Sequence, residues 1–445
     1  MSRVSAGSFP KIDQLLSRWK SDPQRLPLIL KGCRQCGKTF SVLQFARANY
    51  DYVAYVNFFE NPSYSSVFSG ALDTDTLTLK LSAVLGSDIK FVPGKTVIVL
   101  DEIQACPEAR TALKFFKTDG RYDVIATGSL LGVSGYRTTP TSVPVGYETI
   151  VEMYPLDFEE FLWANGISAP VIDLLRQSLV HETPVFEALH ERLMTLVLQY
   201  TVVGGMPACV QRFLENRDIY TVHALQKDLL SAYKDDMVKY AEPRDKARIR
   251  ECFESIPVQL AKDNKKFQYS VVRRGGRSSE YIGSLQWIED AGLIARCRNL
   301  SITELPLDGN AVPNCFKVYM ADTGLFTAML EEGTQADILR GNLFAYKGAV
   351  FENLVADFFV KMGRPLFYFQ KDSGLELDFV IRWRGACTPV EIKAVTGNAK
   401  SLKTVLAHPE KYHVASAVKL GQYNVGRTGS ILTLPLYMGC LLSER

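Results

Sequence analysis

The stretch Gly32-Cys33-Arg34-Gln35-Cys36-Gly37-Lys38-Thr39 constrains this chain more than any other. It is flanked by a short apolar run, Leu26-Pro27-Leu28-Ile29-Leu30, and by Ser41-Val42-Leu43-Gln44-Phe45-Ala46, which has helical spacing. That order predicts a buried parallel strand, a glycine loop and a helix. In such a loop the backbone N–H groups and the helix N-terminus face phosphates, the lysine reaches the outer phosphates, and the threonine hydroxyl binds Mg²⁺. Cys33 and Cys36 also have the spacing of redox and zinc sites. A structural zinc site needs about four Cys or His ligands, usually in two close pairs. The other cysteines, at 106, 209, 252, 297, 315, 387 and 440, form no second pair, and the five histidines are equally scattered. The phosphate loop is the better reading, with Cys33 and Cys36 as small loop residues.

A second element is expected on a neighbouring strand. Thr96-Val97-Ile98-Val99-Leu100 ends in Asp101-Glu102, roughly 60 residues further on. A carboxylate at the carboxyl edge of a parallel sheet holds Mg²⁺, and an adjacent acid can activate water. Tyr122-Asp123-Val124-Ile125-Ala126 leads into Thr127-Gly128-Ser129, whose hydroxyls are candidate sensors of a γ-phosphate; a Gly-Ser turn capping a helix explains them equally well. Asn57, after Tyr52-Val53-Ala54-Tyr55-Val56, is a weaker candidate. The string Asn264-Lys265-Lys266-Phe267 lacks the acid that guanine recognition would need.

The chain has 445 residues, of which 47% are hydrophobic, enough for several cores. Nine cysteines without a disulfide-framework spacing, together with an N-terminus lacking an apolar core, predict a cytoplasmic protein; no run reaches membrane-spanning length. Net charge is +3, but residues 244–300 carry 12 Lys and Arg against 7 acids, and residues 341–445 carry 13 against 8. Two basic regions on an otherwise acidic chain suit either ordinary solvated surface or a nucleic-acid footprint.

Beyond Pro155 the pattern is mostly helical to Lys239, interrupted by Gly204-Gly205-Met206-Pro207. Residues 248–300 predict helix, short helix, and a third helix from Ser278 to Ala291 running into a strand, the order of a winged helix-turn-helix; Tyr281, Leu285, Trp287 and Ile288 read as core. In the last part an amphipathic helix beginning at Gly348 precedes strands 366–369, 376–381 and 389–394, with a hairpin at Arg384-Gly385. Glu391 and Lys393 share one strand face while Val390 and Ile392 take the other. With Asp378 on the next strand and Glu352 on the helix, three carboxylates could hold Mg²⁺ beside a lysine, as phosphodiester cleavage requires. Solvated charges on an exposed sheet face are the plainer alternative.

Through GCRQCGKT, IVLDEIQ, ATGSL, YPLDFEEFLW, VVGGMP and FEN…ELDFVI…VEIKA the chain resembles the prokaryotic AAA-type ATPases whose C-terminal domain resembles the PD-(D/E)xK nucleases. The resemblance implies an α/β protein with a P-loop ATPase core (residues 1–165), a helical lid (166–243), a winged helix-turn-helix (244–335) and a nuclease-like α/β domain (336–445). It implies ATP on Gly32, Gly37, Lys38 and Thr39, with Phe40 beside them and Thr127 and Ser129 facing the phosphates. Thr39 and Asp101 would hold Mg²⁺ and Glu102 would activate water. Glu352, Asp378, Glu391 and Lys393 match the nuclease positions, with Asp378 and Glu391 as metal ligands. Relatives often carry Gly-Arg where this chain has Gly146-Tyr147, so an arginine aiding phosphoryl transfer would come from elsewhere, Arg137 being the nearby candidate. Three functions fit: an ATP-controlled protein acting on DNA or RNA, favoured here; an ATP-dependent signalling switch that binds protein through its C-terminal domains; and a small-molecule kinase, which the Asp101-Glu102 pair disfavours. Self-association is compatible with each.

Overall fold

The computed structural model describes residues 11–129, 146–240, 243–262, 265–342, 347–393 and 399–444. They divide into two compact units, one running up to Pro155 and including Asp290–Gly292, the other taking Leu156–Glu289 and the chain from Leu293 onward.

The first unit contains α1 (Lys11–Ser21), β1 (Leu28–Gly32), α2 (Lys38–Asn49), β2 (Tyr52–Asn57), α3 (Thr74–Leu85), β3 (Thr96–Asp101), α4 (Pro107–Asp119), β4 (Asp123–Ser129) and β5 (Thr149–Met153). The strands form one sheet in the order β2-β3-β4-β1-β5, and every pairing is parallel. Strands such as Val97–Leu100 are apolar at every position because helices cover both faces. Leu16, Trp19, Val42 and Phe45 of α1 and α2 pack on one side, and Leu77, Leu81, Leu113 and Phe116 of α3 and α4 on the other. Since β4 lies between β1 and β3, its carboxyl end falls between the glycine loop and Asp101.

The second unit opens with helices α5 (Phe158–Ala164), α6 (Ala169–His181), α7 (Glu187–Val203), α8 (Pro207–Asn216) and α9 (Ile219–Tyr240). Gly204 and Gly205 separate α7 from α8. A Cβ on Gly205 would stand 2.0 Å from the Leu156 carbonyl, and one on Gly204, whose φ is +72°, would stand 2.2 Å from Asp322 Oδ1. That closeness lets the Gly205 N–H donate to Asp322 Oδ2 at 2.7 Å. Only glycine fits either place.

Next come α10 (Pro243–Leu260), α11 (Tyr269–Val272), α12 (Ser278–Asp290), β6 (Ile294–Leu300), β7 (Ala311–Met320), α13 (Thr323–Ala328), α14 (Thr334–Leu339) and α15 (Lys347–Lys361). Tyr281, Leu285, Trp287 and Ile288 are buried. The chain then forms β8 (Leu366–Gln370), β9 (Glu376–Leu377), β10 (Phe379–Trp383), β11 (Ala386–Lys393), α16 (Lys400–Leu406), α17 (Pro409–Tyr412), β12 (Ala417–Gly421), β13 (Gly426–Thr428) and β14 (Ile431–Pro435). One sheet runs β10-β11-β12-β14-β13, and β10 and β11 make the expected hairpin, with Arg384 and Gly385 both at positive φ.

β6 pairs with both β7 and β8, so the strands after α12 share the sheet β7-β6-β8-β9 with the C-terminal strands. One expectation needs correction. The helix α15 is not amphipathic, since its positions from Ala349 to Phe359 are all buried, including Glu352, Asn353 and Asp357.

Candidate functional sites

At the carboxyl edge of the first sheet, β1 ends at Gly32 and α2 begins at Lys38. A Cβ on Gly32 would meet the Met153 carbonyl of β5 at 2.3 Å, so close strand packing demands glycine there. Gly37 takes a left-handed φ of +97° that reverses the chain into α2. The Lys38 amine, buried, donates to the carbonyls of Gly32 at 3.1 Å and Cys33 at 2.8 Å.

Asp101 is the hub of this edge. It is 2% exposed and accepts from Thr39 Oγ1 at 3.1 Å, from Tyr55 OH at 2.8 Å, from Asn57 Nδ2 at 3.2 Å and from Thr127 Oγ1. Those donors come from α2, β2 and β4, so one carboxylate ties three elements to the loop. Glu102 follows at a left-handed φ of 56°, and the Gln104 amide donates to its carboxylate. Ser129 is in register with Gly32 across β4 and β1. Phe40, 49% exposed, turns to solvent from the first turn of α2. The Arg137 loop lies outside the described residues; Tyr147 lies under the Lys114 amine at 5.4 Å, and Glu148 pairs with Arg110 at 2.6 Å.

Tyr55 and Gln104 escaped the sequence reading. A signal for Tyr55 existed: it lies two residues before Asn57 on β2, hence on the same face, and Asn57 is in register with Asp101.

In the second unit, Glu352 on α15, Asp378 between β9 and β10, and Glu391 and Lys393 on β11 come within electrostatic reach of one another. Lys393 Nζ lies 2.6 Å from Glu391 Oε1. The Ile392 N–H donates to Asp378 Oδ2 at 2.8 Å. Burial, reinforced by Glu352 and Glu391, raises the Asp378 carboxyl well above its ordinary range. Glu391 is raised too, by burial against the opposing pull of Lys393. Its Oε2 atom is buried without a hydrogen-bond partner.

Glu352 is different. Lys265 donates to its Oε1, Tyr319 OH donates to Oε2 at 2.9 Å, and the fully buried Lys317 amine stands 3.9 Å away while pairing with Glu376 at 2.6 Å. Burial would raise the Glu352 carboxyl, but Lys317 and Lys265 outweigh it and hold the group below its ordinary value. The exposed sheet face proposed as the plain alternative is absent at Glu352 and Glu391, both 5% exposed. Among the described residues, no group of three or more His, Cys, Asp or Glu side chains is arranged to hold a metal ion. Lysines, rather than a third carboxylate around one ion, complete the cluster.

Ahead of α12, Arg273, Arg274 and Arg277 are exposed. No helix among the described residues is long and apolar enough to cross a membrane.

Comparison with known proteins matches residues 24–162 to the AAA domain family, residues 194–336 to a Domain of unknown function (DUF8612) and residues 347–437 to a Domain of unknown function (DUF4143). No curated protein matches the chain. Among solved structures, a Walker-type ATPase of Pyrococcus abyssi is 14% identical, covering 71% of this chain and 94% of its own, with a TM-score of 0.41. The ORC2 protein of Aeropyrum pernix, solved as ADPNP–ADP complexes, is 13% identical over 76% of this chain and 96% of its own, with a TM-score of 0.38. The ORC1 protein of the same organism in complex with DNA is 11% identical over 74% and 95%, with a TM-score of 0.28. The family match and the loop-and-acid edge agree: residues 24–162 contain a P-loop domain of the AAA ATPase type.

Proposed function

We propose that the chain binds and hydrolyses ATP and acts as an ATP-controlled switch on nucleic acid. The observation that carries the ATP reading is Asp101, buried at a parallel sheet's carboxyl edge and shared by Thr39 of the glycine loop and Thr127 of β4. A hydroxyl and a carboxylate 3.1 Å apart are hard oxygen donors that fit Mg²⁺. Thr39 and Asp101 would hold that ion, which when bound offsets phosphate charge. Lys38 leaves the Gly32 and Cys33 carbonyls for the outer phosphates, and the loop N–H groups take the remaining phosphate oxygens. Glu102 orients the attacking water and accepts its proton, held in place by Gln104. Thr127 and Ser129 sit where a γ-phosphate would be read.

The output is assigned to the basic segment around α10 to α12 and to the Asp378–Glu391–Lys393 cluster. The unpartnered Glu391 Oε2 beside Asp378 suits one divalent cation, with Lys393 as the neighbouring cation that a cleaved phosphodiester needs. The lysines on Glu352 favour a second reading, a protein-binding signalling switch whose acids no longer cleave.

Lys38→Ala should abolish ATP binding, whereas Glu102→Gln should retain binding and lose phosphate release. Normal turnover by Glu102→Gln would remove Glu102 from its role. DNA affinity that falls steeply with salt supports the nucleic-acid reading, because phosphate contacts release counterions; undetectable binding at low salt leaves the signalling switch.

A further inference from the structure

Two thiols lie inside the phosphate loop, and the proposed ATPase chemistry uses neither. Cys33 and Cys36 are both buried, and the Cys33 thiol donates a hydrogen bond to the Cys36 sulfur. Cys36 Sγ is 3.9 Å from Lys38 Nζ and 3.6 Å from the Met153 carbonyl oxygen. The Cys33 hydrogen bond, opposed by burial and helped by the Lys38 charge, lowers the Cys36 thiol to about 7. Elsewhere burial acts the other way: Cys106, Cys209, Cys252, Cys297 and Cys387 are all raised. Cys36 is therefore set apart as the thiol drawn toward ionisation, with the Lys38 amine beside it and Cys33 three residues away in the same loop.

We infer that Cys33 and Cys36 form a peroxide-sensitive dithiol that closes to a disulfide within the phosphate loop and shuts off ATP binding. The inference rests on the nucleotide reading above. The Cys36 thiolate attacks one oxygen of hydrogen peroxide; the O–O bond breaks, and hydroxide leaves and becomes water on taking a proton. The sulfur of Cys33, giving up its proton, then attacks the Cys36 sulfenic sulfur, whose hydroxyl leaves as a second water. Two thiols lose two hydrogens and one peroxide becomes two waters. Peroxide is close to water in size, which suits thiols this buried.

Closing the bond, about 2.05 Å between the sulfurs, removes the Cys36 S–H that donates to the Met153 carbonyl at 3.6 Å and draws Cys36 toward Cys33. The segment between them, including Gln35 at a left-handed φ of 61°, moves with it. Those are the residues whose N–H groups must wrap the phosphates. Lys38 also loses its thiolate neighbour while its loop carbonyl acceptors shift.

The experiment treats the full chain with hydrogen peroxide, with and without Mg-ATP. It measures the mass of the loop peptide and the affinity for a fluorescent ATP analogue. The loop peptide should lose two hydrogens, affinity should fall about ten-fold and return with dithiothreitol, and bound Mg-ATP should slow the loss. Cys33→Ser and Cys36→Ser, each compared with its own untreated form, should show no reversible loss. Absence of the disulfide, unchanged affinity once it has formed, or an equal reversible loss in Cys33→Ser would each overturn the proposal. Reduced protein that fails to bind the analogue refutes the nucleotide reading and the regulatory consequence with it; the peptide mass separates that failure from a failure of the dithiol itself.

Discussion

Replacing Lys317 with methionine removes a charge from the lysine–carboxylate cluster at little change in shape. The Lys317 side chain is fully buried, 2.6 Å from Glu376 and 3.9 Å from Glu352. Burial opposes its charge, but Glu352, Glu376 and Asp378 outweigh burial and raise the ammonium above the usual lysine value. Taking one partner from a buried pair costs about 3–5 kcal/mol, because the other charge is left uncompensated. Glu352 keeps Lys265 and the Tyr319 hydroxyl, and Glu376 is partly exposed, so the loss belongs at the lower end, about 3 kcal/mol at neutral pH. In the native protein Glu352 sits below its unfolded value of 4.5, so its contribution is present above that pH and fades as pH falls through the lower folded value. Without Lys317, burial wins and the folded value rises, so the ionised carboxylate now destabilises and protonation relieves it. The cost of Lys317→Met should therefore be larger near pH 7.5 than near pH 5, by about 1 kcal/mol or more. Urea unfolding followed by tryptophan fluorescence reports it, since Trp163, Trp287 and Trp383 all lie in this unit. A loss below about 1 kcal/mol at neutrality, or one that is equal at both pH values, would refute the cluster's charge balance.

Gly205→Ala would place a methyl 2.0 Å from the Leu156 carbonyl and 2.7 Å from Lys361 Nζ; thermal unfolding should show a loss of about 3 kcal/mol or failure to fold. Tyr55→Phe removes a donor from Asp101 without altering the loop, so Mg²⁺ titration of ATP turnover should show a several-fold change in the magnesium requirement, with nucleotide binding in the absence of metal unchanged. If the Asp378–Glu391–Lys393 cluster cleaves nucleic acid, Asp378→Asn and Lys393→Ala should each abolish metal-dependent cleavage with circular dichroism unchanged; cleavage persisting in both would place the activity elsewhere.

What was legible in the sequence was what is local. The glycine loop, the apolar strand ending in Asp101-Glu102, the helices before Gly292 and the hairpin at Arg384-Gly385 are each set by neighbours a few residues apart, where backbone preference and side-chain period act directly. Asp101 itself could be picked out, but of its donors only Thr39 and Thr127 stood in readable motifs; Tyr55 looked like one more apolar strand residue until register placed its neighbour Asn57 beside Asp101.

The second unit shows why matching four positions to a pattern stops short of a site. Glu352, Asp378, Glu391 and Lys393 do gather, as strand alternation and helix placement imply, yet the charge on Glu352 is decided by Lys317 and Lys265, which no spacing connects to it. Lys317 reaches Glu352 because β6 pairs in parallel with β8 and draws β7 into the C-terminal sheet, a long-range pairing invisible to periodicity. A lysine on β7 would be expected to face solvent if β6 and β7 formed a free-standing wing; inside a shared sheet the same residue is fully buried and must find carboxylates. The difference between a metal-ready acidic site and a lysine-balanced one thus follows from a strand pairing, and the local pattern of acids would have been the same in either case.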